Sequence, residues 1–174
     1  IQVPGLPTSL FDRFPALEQA VDYLKQKRVV RADQFDRLTA EEQQTVFSVQ
    51  GVNGVRKLNQ LRTALAGSIQ KGEDLKTFQA KAEKVFSMAK RETETLYRTE
   101  SKRSYIKGLE QTLDKPAIRK DFGYVMYVAT RDPRVRPAHW AMNKFVCSRT
   151  DPAYRILQFL LGEYNCRCSI IPLS

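Results

Sequence analysis

Between about Asp74 and Leu113 the apolar residues keep a helical spacing while the side they occupy changes, and this constrains the fold more than any other feature. Leu75, Phe78, Ala82, Val85, Phe86 and Ala89 share one face of a helix that turns about 100° per residue. Beyond Tyr105 the apolar positions Ile106, Leu109 and Leu113 rotate onto the opposite side. One straight helix cannot bury both faces in the same core. Either it kinks near Thr99–Ser104 or its two ends pack on different partners. We prefer the second, with the far end serving a C-terminal unit. Opposite the first apolar face, Lys84, Arg91, Arg98 and Lys102 fall within about 40° of each other. They read either as a solvated helix face or as a basic stripe toward a polyanion.

The flanking sequence sets the rest of the architecture. Residues 1–14, with Pro4, Gly5 and Pro7, read as an extended arm. From Pro15, a good first-turn residue, Leu17, Ala20, Val21 and Leu24 recur at helical spacing. Phe35 and Leu38 suggest a short helix. Thr39 followed by Glu42 is a capping box expected to open a helix carrying Val46 and Phe47. Gly51 and Gly54 break the chain, and Val55, Leu58, Leu61, Leu65 and Ile69 form another helical stripe ending near Gly72. After Lys115-Pro116 the pattern turns to strands. Phe122–Thr130, Phe145–Cys147 and Cys166–Ile171 are expected strands. A short helix is expected over Pro137–Met142, and another from Asp151-Pro152 to Gly162. The fold class is therefore α+β, with a helical region over 15–115 and a small C-terminal α+β unit over 116–174.

No apolar run approaches the roughly 20 residues that a membrane helix needs, and no signal-peptide pattern opens the chain. Because the first residue is Ile1, a processed or trimmed piece of a longer chain is expected. Three cysteines do not suit a secreted disulfide framework and fit folding in a reducing cytosol. The net charge is +10. Nine basic and four acidic residues lie from Arg119 onward, making the C-terminal end about twice as densely positive as the rest. That favours a polyanionic partner, nucleic acid first. The expected contacts are Lys84, Arg91, Arg98 and Lys102 with the loop residues Arg131, Arg134 and Arg136.

Chemistry concentrates in the C-terminal unit. The segment RDPRVRPAHW holds the chain's one histidine, His139, and YNCRCSIIPL holds Cys166 and Cys168 around Arg167. On extended backbone those two thiols share a side while Arg167 points away. With Cys147 they complete the donor set of a tetrahedral Cys₃His zinc site, although C-x-C is not the usual spacing. No cofactor is expected as the first reading. The cysteines then serve as small buried residues and His139 as a hydrogen-bonded lock on its turn. A disulfide from Cys147 to Cys166 or Cys168 is a further alternative. Catalysis would need His139 as base and Arg136 steadying a phosphorane, but a second group titrating near neutrality is not evident. There is no H-E-x-x-H, phosphate-binding glycine loop or G-x-S-x-G.

The ordered combination of motifs resembles the phage head-morphogenesis, Mu F-like minor head proteins. It comprises Asp132, Arg134, Val135, Arg136, Pro137 and His139, then Asp151-Pro152, then Asn165-Cys166-Arg167-Cys168 before an apolar strand. YLKQKRVVRADQF, TVFSVQGV and LYRTESKRSY, with the pair Arg98-Thr99, are similar to the family's helical region. Asn143-Lys144 and Leu160-Leu161 depart from the family's usual Asn-Gly and Pro-Pro, and Cys147 lies outside the pattern. The resemblance implies a non-enzymatic minor capsid protein inside the virion, associated with the portal or the major capsid protein. It would support head assembly and DNA packaging or ejection, touching double-stranded DNA non-specifically. Asp132, Arg136, His139, Asn165, Cys166 and Cys168 would be its structural motif. The alternative is a nuclease-like or toxin-like enzyme built on the C-terminal unit.

Overall fold

The computed structural model describes residues 16–52 and 54–174, so the proposed arm over 1–14 lies outside the described residues. The chain forms α1 (Ala16–Gln26), β1 (Arg28–Val29), α2 (Ala32–Phe35), α3 (Ala40–Thr45), β2 (Val46–Phe47), α4 (Val55–Gln70) and α5 (Leu75–Phe86). It continues through α6 (Lys90–Leu113), α7 (Pro116–Arg119), β3 (Tyr124–Val128), α8 (Pro137–Ala141), β4 (Val146–Ser148), α9 (Ala153–Leu161) and β5 (Ser169–Leu173). This is an α+β fold with a helical N-terminal region.

α6 links two cores. α1 and α5 lie against it, and α4 packs on α1 and α5. Its first half adds Leu96 to a core with Val21, Leu24, Phe47, Leu58, Leu61, Leu65, Phe78 and Ala82. Its second half adds Ile106, Leu109 and Leu113 to a core with Val125, Tyr127, Leu157, Leu161 and Ile170. The two ends thus serve different partners, and α6 runs unbroken through Thr99–Ser104. The break comes earlier than the apolar pattern suggests. Ser87 takes a left-handed conformation (φ 56°) that closes α5, and the Glu92 carboxylate accepts the Ala89 N–H (3.3 Å) where α6 opens.

Two further corrections follow from local geometry. Val46 and Phe47 do not extend α3. Both are buried, and they pair in parallel with Arg28 and Val29. The capping box itself forms, Thr39 Oγ1 accepting the Glu42 N–H (3.3 Å) and the Glu42 carboxylate accepting the Thr39 N–H (2.8 Å). The second correction concerns the last strand, which starts at Ser169, so Cys166 and Cys168 precede it.

The C-terminal sheet has the order β4-β3-β5, all antiparallel. Val125, Tyr127, Cys147 and Ile170 face its core, each large side chain gaining about 1.5–3 kcal/mol from burial. Tyr124, Val146 and Ile171 project from the other face into solvent.

Candidate functional site

Pro137 sets the first turn of α8, and two residues later His139 points inward, only 2% exposed. Its Nδ1 lies 3.0 Å from the Tyr127 hydroxyl on the central strand and 3.6 Å from Sγ of both Cys166 and Cys168. Its Nε2 lies 2.9 Å from Glu163 Oε2. A carboxylate only accepts, so the Nε2–H tautomer donates to Glu163 and leaves the Nδ1 lone pair toward Tyr127 and the thiols. Cys166 and Cys168 do share a side, while Arg167 turns away to pair with Asp132 through two contacts, one of them 2.8 Å. Cys147, opposite Val125 in the sheet register, is buried in the apolar core and stands outside the group of three. All three cysteines are free.

The surrounding signature works as a latch. Arg136 pairs with Glu163 (3.1 Å) and donates to the Tyr164 carbonyl (2.8 Å). The Asp132 carboxylate accepts the Arg134 N–H (2.8 Å), and the Arg167 guanidinium beside it holds its carboxyl below the usual range. Asn165 takes a left-handed conformation (φ 54°), and its N–H donates to Thr99 Oγ1 (3.1 Å) on α6. His139 thus reaches across to Glu163, while Asn165 is engaged by α6. Electrostatically the thiols are unequal. The Cys166 thiol donating to Cys168 holds the Cys168 thiol well below its ordinary value, with the Tyr127 hydroxyl helping. Cys166 is pushed up by the same shared hydrogen bond and then by burial.

Comparison with protein families adds the deciding observation: the family model for phage Mu protein F-like proteins matches residues 59–171. The chain belongs to this family. The match runs from α4 into β5 and takes in the whole latch. Membership makes the Mu F-like chain a phage head-morphogenesis protein. Comparison with curated proteins and with solved structures finds no match.

The basic residues of the Mu F-like chain do not form one stripe. Lys84 is exposed on α5, and Arg91 is exposed at the start of α6, so the break at Ser87 places them on different helices. Arg98 is tied to Glu94 (2.9 Å). Lys102 is partly buried, close enough to Cys166 and Cys168 to feel their charge, and burial lowers the pKa of its ammonium. Arg131 and Arg134 are exposed on the loop, and the exposed Arg136 is already paired with Glu163.

Two features escaped the sequence reading. Lys27 Nζ is buried against Glu100 Oε2 (2.7 Å), and Glu100 Oε1 also holds Arg103 (3.0 Å), whose Nε donates to the Gly162 carbonyl (2.7 Å). The available signal was Glu100 and Arg103 following Leu96 at helical spacing, on the side that turns inward. The other feature is the apolar face of the sheet on which Tyr124, Val146 and Ile171 are exposed. It reads only from the register, which sets Met126 between Val146 and Ile171.

Proposed function

We propose that this chain is a minor head protein inside the virion, associated with the portal, that supports head assembly and DNA packaging or ejection. The family match over 59–171 carries this reading. The exposed sheet face supports a protein partner, since contiguous apolar surface rimmed by polar residues marks interaction sites. Burial of His139, Cys166 and Cys168 supports a structural role for the signature, and both His139 nitrogens already have hydrogen-bond partners. The test is a reconstruction of the virion, with density for this chain next to the portal expected. Density confined to the outer surface would overturn the reading.

Docking through the sheet face predicts that Ile171→Asp keeps its circular dichroism spectrum and melting temperature. Its affinity for the co-expressed portal protein should fall at least about tenfold. Unchanged affinity would move the docking site elsewhere.

DNA contact of the proposed kind is sequence-independent and electrostatic. Binding to random duplex should weaken with salt at a log–log slope of about −0.9 per phosphate neutralised. Arg131→Ala with Arg134→Ala should flatten the slope by about 0.9 for each phosphate that is no longer neutralised. Lys102→Ala should leave it unchanged, because Lys102 is partly buried near the thiols. A slope near zero in the parent would remove DNA from the set of partners.

A further inference from the structure

The chain contains one histidine and three cysteines, and the fold brings that histidine and two of the cysteines to one buried point. Their ligand atoms all lie within 4.8 Å of one another. In a tetrahedral zinc site, a His nitrogen at about 2.0–2.1 Å from the ion and a thiolate at about 2.3 Å are about 3.5–3.6 Å apart. Both Nδ1–Sγ distances are 3.6 Å. A hydrogen-bonded thiol explains one such contact and not both. Nδ1 has a single lone pair in the plane of the ring, and the Tyr127 hydroxyl already lies 3.0 Å from it. Nδ1 and the two sulfurs turn their lone pairs toward one point, the arrangement a cation fills.

Other features agree. Glu163 on Nε2 is the carboxylate partner that metal-binding histidines usually have, fixing the tautomer whose Nδ1 lone pair, here within reach of the Tyr127 hydroxyl, can turn to an ion. Arg136 in turn holds Glu163. A cavity of about 20 Å³ adjoins the three groups, lined also by Thr130, Val135, Asn165 and the side chains of Arg134, Arg136 and Arg167, and has room for about one water. We infer that His139 Nδ1, Cys166 Sγ and Cys168 Sγ bind one Zn²⁺, with a water in the adjoining cavity as the fourth ligand. Binding leaves both sulfurs as thiolates and releases whatever protons they still carry. The dication and two thiolates are together neutral, which suits a buried site. The ion ties α8 to the segment entering β5, so it staples the small C-terminal unit. Cys147 takes no part.

The test uses the whole chain, produced with zinc supplied and kept reduced. Elemental analysis should find about one zinc per chain in the parent and in Cys147→Ala. The double variant Cys166→Ser, Cys168→Ser should hold less than about a tenth of that. Cobalt in place of zinc should give a thiolate-to-metal charge-transfer band in the parent. If the double variant misfolds, the parent alone still decides. Zinc should slow alkylation of Cys166 and Cys168, mapped by mass spectrometry, by at least about tenfold, and a chelator should restore it. Reduced parent that takes up neither zinc nor cobalt overturns the inference. So does a Cys166–Cys168 disulfide that, once reduced, binds no metal, or full zinc content in a folded double variant.

Discussion

Replacing Glu100 with alanine is expected to cost about 3–5 kcal/mol of folding stability, a large share of the roughly 5–15 kcal/mol that holds a domain together. The Lys27 side chain is wholly buried, and Glu100 is its ion-pair partner at 2.7 Å. Glu100 also holds Arg103, itself buried, at 3.0 Å. Alanine leaves two cations in a site with little water. Burial already lowers the pKa of Lys27 against the opposing pull of Glu100, and without Glu100 it falls further. The sign of the pH dependence follows. A lysine with a depressed folded pKa binds its proton more weakly in the native state, so its penalty is complete below the folded pKa. The penalty fades as pH rises toward the ordinary lysine value of 10.5. The deficit of Glu100→Ala should therefore shrink on going from pH 7 toward pH 10. Urea unfolding across that range measures it. Adding Lys27→Met to Glu100→Leu should recover the part of the loss that comes from Lys27, since an apolar pair can replace a buried ion pair, while Arg103 keeps only the Gly162 carbonyl. A deficit below about 1 kcal/mol would mean that the pair behaves as a solvated surface bridge.

Why this pair stayed hidden, while other features were legible, comes down to where the deciding information lies. The handover of α6 between two cores is written in the rotation of Leu96, Ile106, Leu109 and Leu113 around its axis. The Thr39–Glu42 box is likewise local, because both partners sit within one turn. Ser87 is different, since nothing in a serine announces a left-handed conformation, and the apolar spacing ran on across it. Val46 and Phe47 had helical spacing and became a strand only because Arg28 and Val29 lie alongside. Lys102 shared a helical face with Arg91 and Arg98, and its partial burial near Cys166 and Cys168 depends on a distant segment. The candidate site divides the same way. Its residue types were recognisable as a histidine with a thiol pair, while the exclusion of Cys147 and the role of Glu163 required the sheet register and the turn at Asn165.

His139→Ala is the next largest expected change, a loss of about 1–3 kcal/mol measured with chelator present so that only hydrogen bonding and packing count. Two groups lose His139. Glu163 keeps Arg136 at 3.1 Å and is partly open to solvent, so its loss is the smaller one. The Tyr127 hydroxyl belongs to a wholly buried side chain on the central strand and loses an acceptor at 3.0 Å, keeping the weaker sulfur acceptor Cys168. For a chain of this size, each kcal/mol lowers the melting temperature by about 2–4 °C. His139→Asn, whose side-chain oxygen can accept from Tyr127, should recover part of the shift. A catalytic histidine predicts the reverse pattern, because an active-site base is replaced at little cost in stability and at a large cost in rate. Melting curves of the parent, His139→Ala and His139→Asn should therefore be set beside a nuclease assay on the parent. An unshifted melt for His139→Ala, together with nuclease activity in the parent that the substitution abolishes, would make His139 a reacting group and the chain an enzyme.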